Sequence, residues 1–340
     1  AGAAAVAAMD KVDEGLDTVM TKTGATGEAA QELQEVYNAV AKTVPADFAD
    51  IGAAVGEVNT RLGFTGEALE QAATDFLEFA KVNGADVNTS VQLVTRAMGD
   101  AGIAAEDYNQ VLDALTVAGQ QSGISVDTLA TNLAKYGAPL RALGIETEEA
   151  IAMFAGWEKA GVNTETAFSG MKKAISTWSA EGKDARAEFA KTMQTIKDAP
   201  DISAATTLAI EAFGAKAGPD LADAIQGGRF EVDKYITALQ NAGGAVDATY
   251  GMIVDEVDDT ALASQNLQVA LHDTGETIAK TLGPILLSLA EKVSAVLEWF
   301  NGLDDETKKV ILTIAGLVAA VGPVLIVAGK IATGVSALIT

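Results

Sequence analysis

The residues able to do acid–base, nucleophilic or metal chemistry are few. His272 is the single histidine of the chain, the side chain best suited to proton transfer or metal ligation near neutral pH. With no second histidine to pair with, it is expected to sit on a helix surface. Asp255, Glu256, Asp258 and Asp259 form an acidic run. They lack the ligand spacing and central glycine of a calcium loop, so they are expected to form a solvated face. Gly322 to Lys330 superficially has the parts of a phosphate loop. However, its glycines are too far apart, Ile331 stands where a Ser or Thr is needed, and no strand precedes it. There is no Gly-x-Ser-x-Gly nucleophile elbow, and with 0 cysteines there is neither a disulfide framework nor a thiolate metal site. No catalytic, cofactor-binding or metal-ligating residue is therefore assigned, and the chain is expected not to be an enzyme.

Composition narrows the class further. The 340 residues suffice for one to three domains with a real core. The 47 acidic residues against 23 basic ones give a net charge of −24. A uniformly acidic chain is a poor ligand for nucleic acid, whose affinity comes from Lys and Arg neutralising phosphates, so no specific nucleic-acid binding is expected. Abundant Ala and Gly with 5% aromatics favour thin, closely packed helices over a bulky sheet core. The sequence opens Ala-Gly-Ala without an initiator Met or a basic leader region, so it reads as having no signal peptide and as part of something longer.

The elements that would position any site are helical. Residues 1–59 form an N-terminal helical segment, with Leu33, Val36, Tyr37 and Val40 at helical spacing and Pro45 ending that helix. Residues 60–244 form a compact core of short helices. Within it a glycine followed by an apolar residue recurs at Gly63-Phe64, Gly84-Ala85, Gly102-Ile103, Gly123-Ile124, Gly144-Ile145 and Gly161-Val162, spaced 21, 18, 21, 21 and 17 residues apart. This is a helix-end signature: glycine takes the left-handed position and the next residue packs back on the last turn. Thr89 with Gln92 is predicted to form a capping box, and Ser125 and Thr147 to be N-caps. Leu69, Ala72, Phe76 and Ala80 share an apolar face, with Glu70, Asp75, Glu78 and Lys81 predicted to point away from it. Residues 245–303 read as long helices, the first running from Ala245 to Leu282 and interrupted at most by Gly251 and Gly275. The second carries Leu286, Leu289, Val293, Val296 and Phe300 at a near 3.5-residue period, which suits a seam between partner helices.

Residues 304–340 are dominated by an uncharged run of twenty residues, Val310 to Gly329. As one helix it would reach ~30 Å, the thickness of a bilayer's hydrocarbon core. Val310, Leu317, Val321, Leu325 and Val327 make it membrane-competent, and small residues four apart permit close helix approach. Pro323 predicts a kink or break. Two readings stay open: a membrane-spanning helix, or a hairpin buried against copies of itself or another protein. A soluble monomer could not leave this surface in water. The fold class is therefore all-α: an array of short packed helices, then long helices, then an apolar C-terminal helix or hairpin in a symmetric bundle.

Five stretches, in this order, resemble the core region of bacteriophage tail tape measure proteins. They are Thr23-Gly24-Ala25-Thr26-Gly27, Ala53-Ala54-Val55-Gly56-Glu57-Val58-Asn59-Thr60-Arg61, Phe213-Gly214-Ala215-Lys216-Ala217-Gly218-Pro219, Trp299-Phe300-Asn301 and Gly322-Pro323-Val324-Leu325. The resemblance covers roughly residues 10 to 335. It implies a non-enzymatic virion protein without cofactors, present in several copies along the tail lumen and at the tip. Such a protein sets tail length, nucleates tube assembly and assists DNA passage across the host membrane. The implied partners are further copies of the chain, as a trimer by preference or else a hexamer, the tail tube and tip or baseplate proteins, and the host inner membrane on ejection. Family members run far longer, which leaves the ruler itself largely outside these residues. The competing reading from another class is a bacterial membrane-active helical pore former with 310–340 as its inserting hairpin. An ordinary helical adaptor would leave the terminal apolar run unexplained.

Overall fold

A computed structural model describes residues 2–141, 144–230 and 232–273, with a compact unit running from Ala5 to Asp273. Among the described residues there is no strand, and the fold is all-α. The first half holds α1 (Gly2–Thr23), α2 (Glu28–Thr43), α3 (Phe48–Leu62), α4 (Gly66–Asn83), α5 (Val87–Ala101), α6 (Tyr108–Ser122) and α7 (Val126–Arg141). The second holds α8 (Thr147–Ala160), α9 (Thr164–Ala180), α10 (Ala185–Lys197), α11 (Ile202–Phe213), α12 (Gly218–Gln226), α13 (Val232–Leu239), α14 (Ala245–Ile253) and α15 (Glu256–Asp273).

The glycine punctuation ends helices as expected. The six glycines from Gly63 to Gly161 all have positive φ, between 60° and 77°. After four of them the following residue's N–H reaches back to close the last turn, as in Ile103 N to Met98 O at 2.9 Å and Val162 N to Trp157 O at 2.8 Å. At Gly102 a side chain is doubly excluded. Its φ is 68°, and the Arg141 guanidinium occupies the place a Cβ would take while donating to the Ala101 carbonyl. A seventh such end, Gly182-Lys183, has the same back-bond, Lys183 N to Trp178 O at 2.9 Å. It escapes the sequence pattern because its second residue is charged.

One hydrophobic core runs through the unit from Val12 to Val269. α3, α4 and α5 pack on one another, α7 lies along α5, and α8 is held by α6, α7 and α13. α9 to α12 form an adjoining cluster, α14 lies across α4 and α6, and α15 lies on α2. Gly15 lies inside α1, where α1 and α3 meet backbone to backbone. A Cβ on Gly52 would come within 2.2 Å of the Gly15 carbonyl oxygen.

Several local expectations are corrected. Asp86, not Thr89, caps α5, accepting from Thr89 N at 2.7 Å; an Asp at that place is the stronger cap. Glu146 with Glu149 forms the capping box of α8, so Thr147 is the first helical residue rather than the cap. Ser125 does receive Thr128 N, at 3.3 Å. The helix predicted from Ala245 to Leu282 breaks at Val254, which is extended (φ −73°, ψ 128°). Asp255 then accepts from Val257 N at 2.8 Å and starts α15. α15 is anchored by Gln265, which is 6% exposed. Its Nε2 donates to the Ala41 and Val44 carbonyls at 2.6 and 2.8 Å, satisfying orphan acceptors at the end of α2. His272 is half-buried rather than on an open surface, with Nε2 3.9 Å from Asp13 Oδ1.

Candidate functional site

The predicted oligomer seam, Leu286, Leu289, Val293, Val296 and Phe300, lies outside the described residues. So does the predicted membrane-competent run through Val310, Leu317, Val321, Pro323, Leu325 and Val327. Among the described residues no helix is long and apolar enough to cross a membrane, and no cluster of His, Asp or Glu is arranged to hold a metal ion.

Two of the described motif stretches, on α3 and at 213–219, turn out to be sites of close packing. Thr23–Gly27 links α1 to α2, with Gly24 and Gly27 at φ 65° and 63°. On α3, Gly56 faces Lys22, whose Nζ reaches Glu57 Oε1 at 2.6 Å and Asn88 Oδ1 at 2.8 Å. Arg61 Nε holds the other Glu57 oxygen at 2.5 Å, and Gln92 adds a bond at 3.2 Å. Burial alone would raise the Glu57 carboxyl, but the bonds from Lys22, Arg61 and Gln92 outweigh it and hold it below the usual range. This network ties α1, α3 and α5 together. In the 213–219 stretch, Phe213 and Ala217 fill the space in front of Gly170 on α9, leaving no room there for a side chain.

A second polar group lies where α14 crosses α4 and α6. The α4 face predicted to point away from the apolar stripe does so, and is half-buried there. Asp75 and Glu78 of α4 face Asp247 and Tyr250 of α14. Burial first, then the charges of Asp247 and Asp75, push the Glu78 carboxyl up to about 7. Burial likewise raises Asp75, whose Oδ2 accepts from the Tyr108 hydroxyl at 2.5 Å. Burial, then Glu78 and Asp258, push Tyr250 up to about 12. Lys81 supplies the positive charge: its Nζ lies 2.5 Å from Asp258 Oδ1 on α15 and 5.8 Å from the centre of the Tyr250 ring. Asp113 on α6, 8% exposed, accepts from Gly244 N at 2.7 Å and Val246 N at 2.9 Å. It caps α14 from another helix. The sequence carries one hint of this: Gly243-Gly244 starts a helix with no cap of its own, so the acceptor must come from elsewhere.

A third feature is a cavity of about 690 Å³ beneath α10. Phe189 and Met193 of α10 face Met153, Ile175 and Phe230 across it, with Arg186, Lys197 and Lys234 on its lining. Arg186 is ion-paired to Glu149 of α8. Phe230 stacks on buried Trp157, ring centres 6.3 Å apart.

The family model for phage-related minor tail proteins matches residues 47–217, half of the chain. The chain belongs to that family, the phage tail tape measure proteins. The "Tape measure protein" of Pneumococcus phage Dp-1 is 24% identical over 341 residues, covering 94% of this chain and 29% of the relative. The chain thus spans less than a third of that curated relative's length. No solved structure matches it.

As a tape measure family member the chain is a phage tail component. The family match begins at Asp47, the residue before α3, and ends at Ala217, the residue before α12. The Glu78 cluster therefore straddles its edge: Asp75, Glu78, Lys81 and Asp113 lie inside, while Asp247, Tyr250 and Asp258 lie beyond. Tape measure resemblance alone could not have located that contact, since its two sides are more than 130 residues apart.

Proposed function

We propose that this chain is a folded portion of a tape measure protein: a non-enzymatic structural element in the tail lumen near the tip. In this reading it nucleates tube assembly and assists DNA passage across the host membrane. The observation that carries it is the family match over 47–217, joined to a tape measure relative aligned with 94% of the chain. The net charge of −24 supports it, because an acidic surface shares a lumen with DNA without holding it.

In this reading tail length is set by other parts of the protein. The longest described helix, α1, has 22 residues, about 33 Å. The compact unit drawn out as one helix would reach roughly 400 Å, so in its packed form it is a poor ruler. The test is a phage in which 47–217 is duplicated in frame. Tails of unchanged length, with this chain resolved on the tail axis near the tip, are expected. Lengthening by about 1.5 Å per added residue would reject the division of labour, and a chain lying off the axis would reject the placement.

Within this reading the copies associate as a trimer, with a hexamer as runner-up, through Leu286, Leu289, Val293, Val296 and Phe300. The run from Val310 enters the host inner membrane on release. Leu289→Asp with Val293→Asp should convert a sedimenting multimer into a monomer; a multimer that survives both rejects the seam. A peptide of residues 303–340 should release dye from liposomes and its Leu317→Arg form should not, because a central charge costs about 2.5–3.5 kcal/mol on insertion scales. Liposomes left sealed by both peptides would make the run an assembly surface.

A further inference from the structure

We propose that the cavity beneath α10 binds a single-chain anionic amphiphile, an acyl chain ending in a carboxylate or phosphate. Its volume of about 690 Å³ falls in the range of small-ligand sites, about 300–1,000 Å³, which are largely apolar with a few placed polar groups. The interior fits the tail: Met153, Ile175, Phe189, Met193 and Phe230 present flexible thioethers and flat rings that adapt to an alkyl chain. A helical peptide fits poorly. Two turns of a helix about 10 Å across occupy roughly 850 Å³, more than the cavity holds.

The headgroup is set by charge. Arg186, Lys197 and Lys234 line the site in a chain of net charge −24. Residues 159–234, which include all three, hold 10 basic and 11 acidic residues, against 8 and 24 in residues 1–158. The cavity thus opens in the least acidic part of the unit, where an anion meets the least repulsion. Glu149, paired with Arg186, is the internal counterpart of the headgroup. The guanidinium has donors enough for a second oxyanion beside it. α10, which lines the cavity along one side, has Ile196 as its single fully buried residue.

Calorimetric titration of the 340-residue chain with dodecanoate and with dodecyl phosphate, below their micelle-forming concentrations, tests this. Saturable one-to-one binding of at least one of them is expected. Dodecanol, which lacks the charge, should bind at least tenfold more weakly, and acetate, which lacks the chain, should not bind. Met193→Arg, on the half-buried side of α10, should abolish binding with the thermal midpoint unchanged. Lys197→Glu, an exposed position, should weaken it at least tenfold even if Met193→Arg perturbs folding. Absence of saturable binding by both anions overturns the proposal. So does dodecanol binding equal to dodecanoate, or binding that survives both substitutions.

Discussion

α8 and α10 are helices of nearly equal length, 14 and 13 residues, yet α8 buries nine residues and α10 buries one. The α8 sequence, TEEAIAMFAGWEKA, confines its charges to the two ends, so a continuous stretch from Ala150 to Trp157 packs on neighbours from several sides. α10, ARAEFAKTMQTIK, spreads charges along its length and is held by Ile196, a half-buried Phe189 set edge-on to Phe213, and the Arg186–Glu149 pair. α14 resembles α10 in burying one residue, Val246, and it is positioned by Asp113 instead. Helix formation is thus shared by all three, but what fixes each helix differs: apolar burial for α8, polar anchors and half-filled contacts for α10 and α14. The family match stops before α14, so the helices held by polar anchors extend beyond it.

That contrast is most severely tested in α8. Trp157→Ala should destabilise the unit by about 3–5 kcal/mol in chemical denaturation, as deletion of a buried aromatic does. A loss below about 1 kcal/mol would place α8 on the same footing as α10. A smaller effect is expected where α14 crosses α4. Glu78 has its folded pKa raised to about 7 from 4.5. Its contribution is therefore fully present below about pH 4.5 and is lost as pH rises through about 7. Glu78→Gln should flatten that slope and make the variant more stable than the parent at pH 8 by on the order of 1 kcal/mol, after discounting for the partial exposure of the group. Identical pH profiles would show that α14 is indifferent to this charge. The smallest effect belongs to α10: Phe189→Ala should cost less than about 1 kcal/mol, in the range of a poorly buried position. A cost near that of Trp157→Ala would erase the distinction between the two helices.

The fold was legible in the sequence where the determinants are local. Glycine followed by an apolar residue marks a helix end within a few residues, and Pro45 stops α2, leaving Val44 extended (φ −117°, ψ 127°). The apolar stripe of α4 was legible for the same reason: Leu69, Ala72 and Phe76 are fully buried. What was not legible lies across long separations. The polar stripe of α4 looks solvated until α14 arrives from 170 residues later, and no periodicity within α4 announces that cover. Capping was read one to three residues late at Thr89 and Thr147, because the better acceptors, Asp86 and Glu146, lie just upstream. The cavity beneath α10 has no sequence signature, since it arises from how five elements leave a space rather than from any motif. Membership of the tape measure family was legible from short motifs, of which the α3 and 213–219 stretches serve close packing.

Gln265 has a consequence for the order in which the molecule assembles. It closes the end of α2 across 224 residues, whereas the glycine-ended helices between them make many of their contacts with near neighbours in the chain. Local contacts form quickly, and distant ones wait for the loop entropy of the intervening chain to be spent. During synthesis α2 through α13 can therefore collapse while the carbonyls of Ala41 and Val44 are still answered by water. The arrival of α15 is then a late, separable kinetic step, and a ribosome-bound chain truncated before residue 256 should be compact yet unlatched.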